Sequence, residues 1–219
     1  MLNQWWGALL DLVYPPKCPV CRSRVDCHGA WCQKCMTGII APREINLLIH
    51  HLGALDGCQA VCAYTGGIKR LIHDMKFRHA GNRAVYLTWL LEQSGGWQLP
   101  KEIELVIPVP LHDKRLNERG FNQTERIFRN WVRQKNLLWL DNCLIRQRAT
   151  MPQWQLNLAA RRANIKGAFS VTCPECVQGK HILLVDDIVT TGITMNECAR
   201  VLKRAGAVQV RALALASGA

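Results

Sequence analysis

The sequence predicts an α/β fold, a parallel sheet flanked by helices, with a small N-terminal four-cysteine module ahead of it. Three observations carry this. The apolar runs ELVIPVP and HILLVDDIVTTG have strand length, and each leads into a stretch with helical spacing. HILLV is continuous rather than alternating, as in a strand buried on both faces. The residues before position 40 hold two Cys-x-x-Cys pairs among Gly, Arg and Lys, a composition that makes no hydrophobic core of its own. The expected division is therefore residues 1–40 for a helix and cysteine module, and 41–219 for the sheet domain.

Trp5, Trp6, Leu9, Leu10, Leu12 and Val13 predict a short packing helix that Pro15 and Pro16 stop. Between Gly66 and Glu92, the spacing of Ile68, Leu71, Ile72 and Met75, then Val85, Leu87, Leu90 and Leu91, predicts two helices around a turn at Gly81. ELVIPVP gives a strand, followed by a polar loop and a helix from Asn122 to Gln134. Cys143 to Arg146 reads as a second strand. Gln147 to Lys166 reads as a long polar, basic loop, a length that marks function or disorder. HILLVDDIVTTG is then a buried parallel strand. Met195 to Ala205 is a helix stopped by Gly206, and VQVRALALA is the last strand.

The chain has 219 residues, 49% hydrophobic and 20% charged, which bounds it to one medium domain with a small accessory module. Its net charge of +12 favours polyanionic partners such as nucleic acid or phosphorylated metabolites. Between His112 and Lys166 twelve Lys or Arg stand against four Asp or Glu, so most of the excess lies mid-chain. No apolar stretch reaches about 18 residues, which predicts no membrane span. The start has neither a basic region nor a small-residue cleavage site, so no signal peptide is expected. Eleven cysteines without an export signal predict reduced thiols in the cytoplasm, with metal binding the first explanation for paired ones.

Asp186 and Asp187 close the HILLV strand. Adjacent acids there call for solvent, a cation or hydroxyl donors, and open α/β sheets bind ligands at that edge. Thr190, Thr191, Gly192, Ile193 and Thr194 then join strand to helix, where free N–H groups and the helix dipole cradle a phosphate. Carboxylates beside such a cradle suit a sugar phosphate. In the loop VPVPLHDKRLNERGFNQ, Lys114, Arg115 and Arg119 supply positive charge, Gly120 permits close backbone approach, and Asn122 and Gln123 offer donors at a helix start. Cys18-x-x-Cys21 and Cys32-x-x-Cys35 form two knuckles fit for one tetrahedral structural zinc, with Cys27 or His28 as substitute ligands. Cys58, Cys62, Cys173 and Cys176 are read as structural.

LLVDDIVTTGIT resembles the signature of type I phosphoribosyltransferases. That resemblance implies that Asp186 and Asp187 hold the ribose hydroxyls of phosphoribosyl pyrophosphate, bound with Mg2+, and that Thr190 to Thr194 hold its 5-phosphate. It gives Lys114, Arg115, Arg119, Gly120, Asn122 and Gln123 to the pyrophosphate. Arg161, Arg162 and Lys166 fall where the family carries a flexible closing loop. Hypoxanthine-type salvage enzymes have an Asp where this chain has Thr190, so that activity is not expected. With the PPKC start, the RGFNQ stretch and VDDIVTTG together, the whole chain resembles the ComF/GntX family. Membership implies a type I phosphoribosyltransferase-like sheet with an added zinc module and a role in bacterial competence, the uptake or use of external DNA. Three readings follow: a phosphoribosyltransferase, hence a glycosyltransferase; a single-stranded DNA-binding protein of the uptake machinery, stacking bases on Trp131, Trp139 or Trp154; or a non-catalytic sensor of phosphoribosyl pyrophosphate.

Overall fold

A computed structural model describes residues 11–95, 99–151 and 157–218. The expected opening helix lies mostly outside them, and so does Trp154. The described chain opens with a helical turn at residues 11–13, and Pro15 and Pro16 follow.

Eight strands and eight α-helices are described. β1 (Ile40–Glu44), β2 (Gly57–Ala63), β3 (Leu105–Pro108), β4 (Leu138–Trp139), β7 (His181–Val189) and β8 (Gln209–Ser217) form one sheet in the order β1-β2-β8-β7-β3-β4. All pairings in it are parallel except β1 with β2. The expected sheet is thus present, at the centre of a larger one: β1, β2 and β4 carry no strand signal in the sequence reading. β2, GCQAVCA, packs through small residues, with Cys58 and Cys62 fully buried.

β7 needs no polar face because layers lie on both sides of it. Ile182 and Leu184 point into one apolar layer with Ile107, Val210, Ala212 and Leu202. Leu183 and Val185 point into the other with Val106, Leu213, Phe128 and Ile72. This is the two-residue alternation of a pleated strand, apolar in both phases.

The first layer is covered by α8 (Ile193–Arg204), which buries Met195, Cys198, Ala199 and Leu202. Over the second lie α2 (Gly66–Phe77), α3 (Ala84–Gln93) and α5 (Gln123–Gln134), the expected helices. Asn122 caps α5, its side chain accepting from Thr124 N–H at 3.0 Å.

Two stretches depart from expectation. Gln147 to Lys166 contains α6 (Leu158–Ile165), capped by Asn157 accepting from Ala160 N–H at 2.9 Å and anchored by buried Ile165. The strand near Cys143 is β5 (Leu144–Arg146), which leaves the main sheet and pairs antiparallel with β6 (Phe169–Val171). That pairing brings Cys143 and Cys173 to a Cα separation of 5.3 Å, a distance a disulfide spans. Two further short helices, α4 (Asp113–Arg119) and α7 (Pro174–Val177), complete the sheet domain. Among the described residues no helix is long and apolar enough to cross a membrane.

Ahead of the sheet domain, the cysteine module carries α1 (Gln33–Thr37) and docks on α2 and α3. Trp31 is buried and donates its indole N–H to Tyr86 carbonyl at 2.8 Å. Val20 lies so close to Gly67 that a Cβ there would meet its Cγ2 at 2.2 Å.

Candidate functional site

A cavity of about 630 Å³ opens at the carboxyl end of β7. Asp186 and Asp187 form its floor, and Thr190 and Thr194 line it from the loop that leads into α8. Gly192 makes that loop turn: it sits at φ +73°, the left-handed region, as N-cap of α8. Leu52 packs where its Cβ would be, its Cδ1 at 2.5 Å, so a side chain here would be strained and would have to displace Leu52. Thr191 stays half-buried, while Ile193 turns into the core.

The two acids have unlike environments. Asp186 Oδ1 accepts from the Thr124 hydroxyl at 3.1 Å and from Asp187 N–H at 2.8 Å. Burial, followed by the charge of Asp187, pushes its pKa up to about 7 against the opposing charge of Lys76 and these hydrogen bonds. Asp187 is almost wholly buried. Its Oδ2 is buried, and the polar contact it makes is the 2.7 Å ion pair with Lys76 Nζ.

The same cavity has a basic wall. Arg115 and Arg119 come from α4, and Arg146 from the end of β5. Arg119 is buried, its guanidinium donating to Gln123 Oε1 at the first turn of α5. Burial draws its pKa down, opposed by the charge of Asp187. Arg146 is also drawn down by burial and then by Arg115; it lies 5.6 Å from the Phe169 ring, and its Nε is buried without a partner. Four cations, counting Lys76, thus share one cavity with Asp186, Asp187 and Glu118, a balance suited to an anionic ligand.

The other residues singled out in the sequence lie elsewhere. Lys114 is exposed on α4, Gly120 ends α4 at φ +78°, and Asn122 is occupied as the α5 cap and as donor to Val109 carbonyl at 3.3 Å. Arg162 and Lys166 line a separate cavity of about 210 Å³ behind Ile193, where Arg162 donates to His50 carbonyl at 2.9 Å. Arg161 stands beside them on α6. Lys76 and Arg146 escaped the sequence reading. Each ends an element, with no local motif, and only Arg146 gave a signal, a basic residue at a strand end.

In the N-terminal module the Sγ atoms of Cys18, Cys21, Cys32 and Cys35 all lie within 4.8 Å of one another. Four thiolates around zinc at about 2.3 Å put neighbouring sulfurs roughly 3.8 Å apart, so the cluster fits a structural zinc. Cys27 and His28 stay outside it, and His28 pairs with Asp11 at 2.9 Å.

Comparison with known proteins agrees with both halves. A phosphoribosyl transferase domain profile matches residues 156–219, and a double zinc ribbon domain profile matches residues 9–45. The chain is similar to DNA utilization protein YhgH of Escherichia coli O157:H7, 38% identical over 158 residues, 69% of this chain and 67% of the relative. It is also similar to Competence protein F of Haemophilus influenzae, 34% identical over 114 residues, 52% of this chain and 50% of the relative. Competence protein ComFC of Streptococcus pneumoniae is 33% identical over 136 residues, 61% of this chain and 55% of the relative. A phosphoribosyltransferase-type sheet behind a four-cysteine ribbon, in a chain with these relatives, belongs to the ComF family of DNA-utilization and competence proteins.

Proposed function

We propose that the chain binds phosphoribosyl pyrophosphate with Mg2+ in this cavity and transfers the phosphoribosyl group, as a phosphoribosyltransferase acting in the cytoplasm alongside DNA-uptake proteins. One observation carries the reading: an acidic pair and a small-residue helix-start loop share one cavity with Arg115, Arg119 and Arg146. Asp186 and Asp187 take the ribose hydroxyls, and Thr190 and Thr194 with the first turn of α8 take the 5-phosphate. The arginines face the pyrophosphate. Carboxylate oxygens are hard donors of the kind Mg2+ takes, so Asp186 and Asp187 are where the ion would sit, with Lys76 giving up its contact to Asp187 Oδ2. When bound, the ion neutralises charge on the pyrophosphate. In the reaction a nitrogen nucleophile bonds to the anomeric carbon and the carbon–oxygen bond to pyrophosphate breaks. Pyrophosphate leaves with the electron pair and the nitrogen loses a proton. Arg119 and Arg146, desolvated and fixed, favour that departing charge.

Calorimetric titration with Mg2+ present tests this. Wild type should bind phosphoribosyl pyrophosphate, and the Asp186→Asn/Asp187→Asn double variant should lose about a hundredfold or more in affinity with its melting temperature held. Wild type that binds none, or a variant that binds equally well, refutes the reading. Pyrophosphate release against a nucleobase panel then separates an enzyme from a sensor.

A second reading, single-stranded DNA binding, is favoured by a groove of about 1070 Å³ between α3 and α5, edged by Cys27 and His28 of the ribbon. Trp89 and Phe121 are half-buried in it beside Arg126, Arg129 and Arg133, and Arg126 stands 4.8 Å over the Phe121 ring. Aromatic faces among arginines suit stacked bases. The tryptophans picked from sequence are less available: Trp131 is buried and Trp139 lies half-buried under Arg129. Oligonucleotide affinity should fall steeply with salt and weaken in Arg126→Ala/Arg133→Ala. No binding even at low salt excludes it.

A further inference from the structure

The acidic pair already holds a cation. Lys76, at the end of α2 and only partly exposed, places its ammonium 2.7 Å from Asp187 Oδ2. Asp186 differs, since a hydroxyl and a backbone N–H, both fixed by the fold, hold its Oδ1. Asp187 Oδ2, itself buried, has no such fixed donor. Its charge is balanced by a compact ammonium on a flexible four-carbon stem. Asp187 leaves little room for a second positive centre beside that ammonium, because like charges at ion-contact distance repel strongly away from bulk water. The same cavity offers the ammonium somewhere to go. Its basic wall marks where anionic ligand groups would lie, and Lys76 is itself part of the lining.

We infer that Lys76 is a displaceable counter-cation that gates the acidic pair. In the free protein it occupies Asp187 and keeps divalent cations off it. It gives way to a ligand that carries anionic groups for the ammonium to follow, so metal enters with the ligand rather than before it. The ligand's identity rests on the phosphoribosyl pyrophosphate reading, while the exclusion of metal by Lys76 rests on this geometry alone.

Mn2+ is the probe, followed by electron paramagnetic resonance in the full chain with no phosphoribosyl compound present; manganese prefers oxygen to the ribbon's thiolates. Lys76→Met should bind Mn2+ about tenfold or more tightly than wild type, and adding Asp187→Asn should cancel the gain. Lys76→Arg, which keeps the charge, and Lys69→Met, which removes one from the exposed face of α2, should stay within about twofold of wild type. Equal Mn2+ affinity in wild type and Lys76→Met, including no binding by either, overturns the inference. An equal gain in Lys69→Met also overturns it, since net charge would then explain the effect. Circular dichroism checks the fold of each variant, and Lys76→Gln, neutral but polar and one atom shorter, replaces Lys76→Met if the latter fails to fold. Failure of wild type to bind phosphoribosyl pyrophosphate would remove the ligand reading and leave the Mn2+ comparison standing.

Discussion

Between Cys18 and Cys35 the buried hydrophobic side chains are Cys18, Ala30 and Trp31, whereas the sheet domain encloses an apolar layer on each side of β7 and β8. The ribbon therefore depends on two external supports, its metal and its seat on α2 and α3, and the sheet domain on neither. The contrast teaches that a short, polar, cysteine-rich segment acquires order only where sulfur chemistry or a neighbour supplies it.

The largest expected effect removes the metal. Cys18→Ser/Cys35→Ser should abolish zinc content and forfeit most of a binding free energy on the order of 10 kcal/mol, unfolding the ribbon while phosphoribosyl pyrophosphate binding survives. Elemental analysis with calorimetry reads both; unchanged zinc would break the assignment of the four cysteines. Next comes the seat. Trp31→Ala should destabilise the ribbon's docking by about 3–5 kcal/mol, seen as early release of ribbon segments in limited proteolysis. Gly67→Ala, which drives a methyl into Val20, should cost about 1–3 kcal/mol at the same seam with the zinc retained. A Trp31 or Gly67 variant as protease-resistant as wild type would show that the ribbon stands on zinc alone.

The smallest effect probes the sheet domain's own polar fastening. Burial works to raise the pKa of Glu197, but the two Arg200 hydrogen bonds and Gly167 N–H outweigh it and hold the carboxyl below its ordinary value. A depressed acid adds stability above its unfolded pKa and loses it as pH falls through the folded value. Glu197→Gln should therefore cost about 1 kcal/mol at pH 7, a gap that narrows as the pH drops below about 4. Melting temperatures across that range check it, and a gap independent of pH would show that the carboxylate's charge contributes nothing.

What was legible in the sequence is what is local. The HILLV run, the acids, the Thr and Gly loop and the following helix are consecutive, so one window displays strand, site and cap together. The cysteine knuckles, likewise, are set by spacing. β2 was not legible because Ala, Gly and Cys fill it where larger apolar residues would advertise a strand, and two-residue β4 exists only through its pairing with β3. α6 hid in a basic stretch, and the one residue the helix itself buries is Ile165. Within the site, Lys76 reaches Asp187 across 111 positions, and Arg146 comes to the cavity on a hairpin closed by a partner strand beyond residue 168. Such distances are fixed by packing, which no window of sequence contains.

Both ends of the sheet are poor templates for another strand. At one margin β1 carries Pro42, which has no N–H to donate, next to Arg43 and Glu44 and a break in register between Ile40 and Arg43. At the other, β4 offers two residues before the chain turns away. Proline, charge, irregular register and brevity are the devices by which edge strands resist adding a neighbour. Self-association by adding a strand to the main sheet is therefore discouraged at both of its margins.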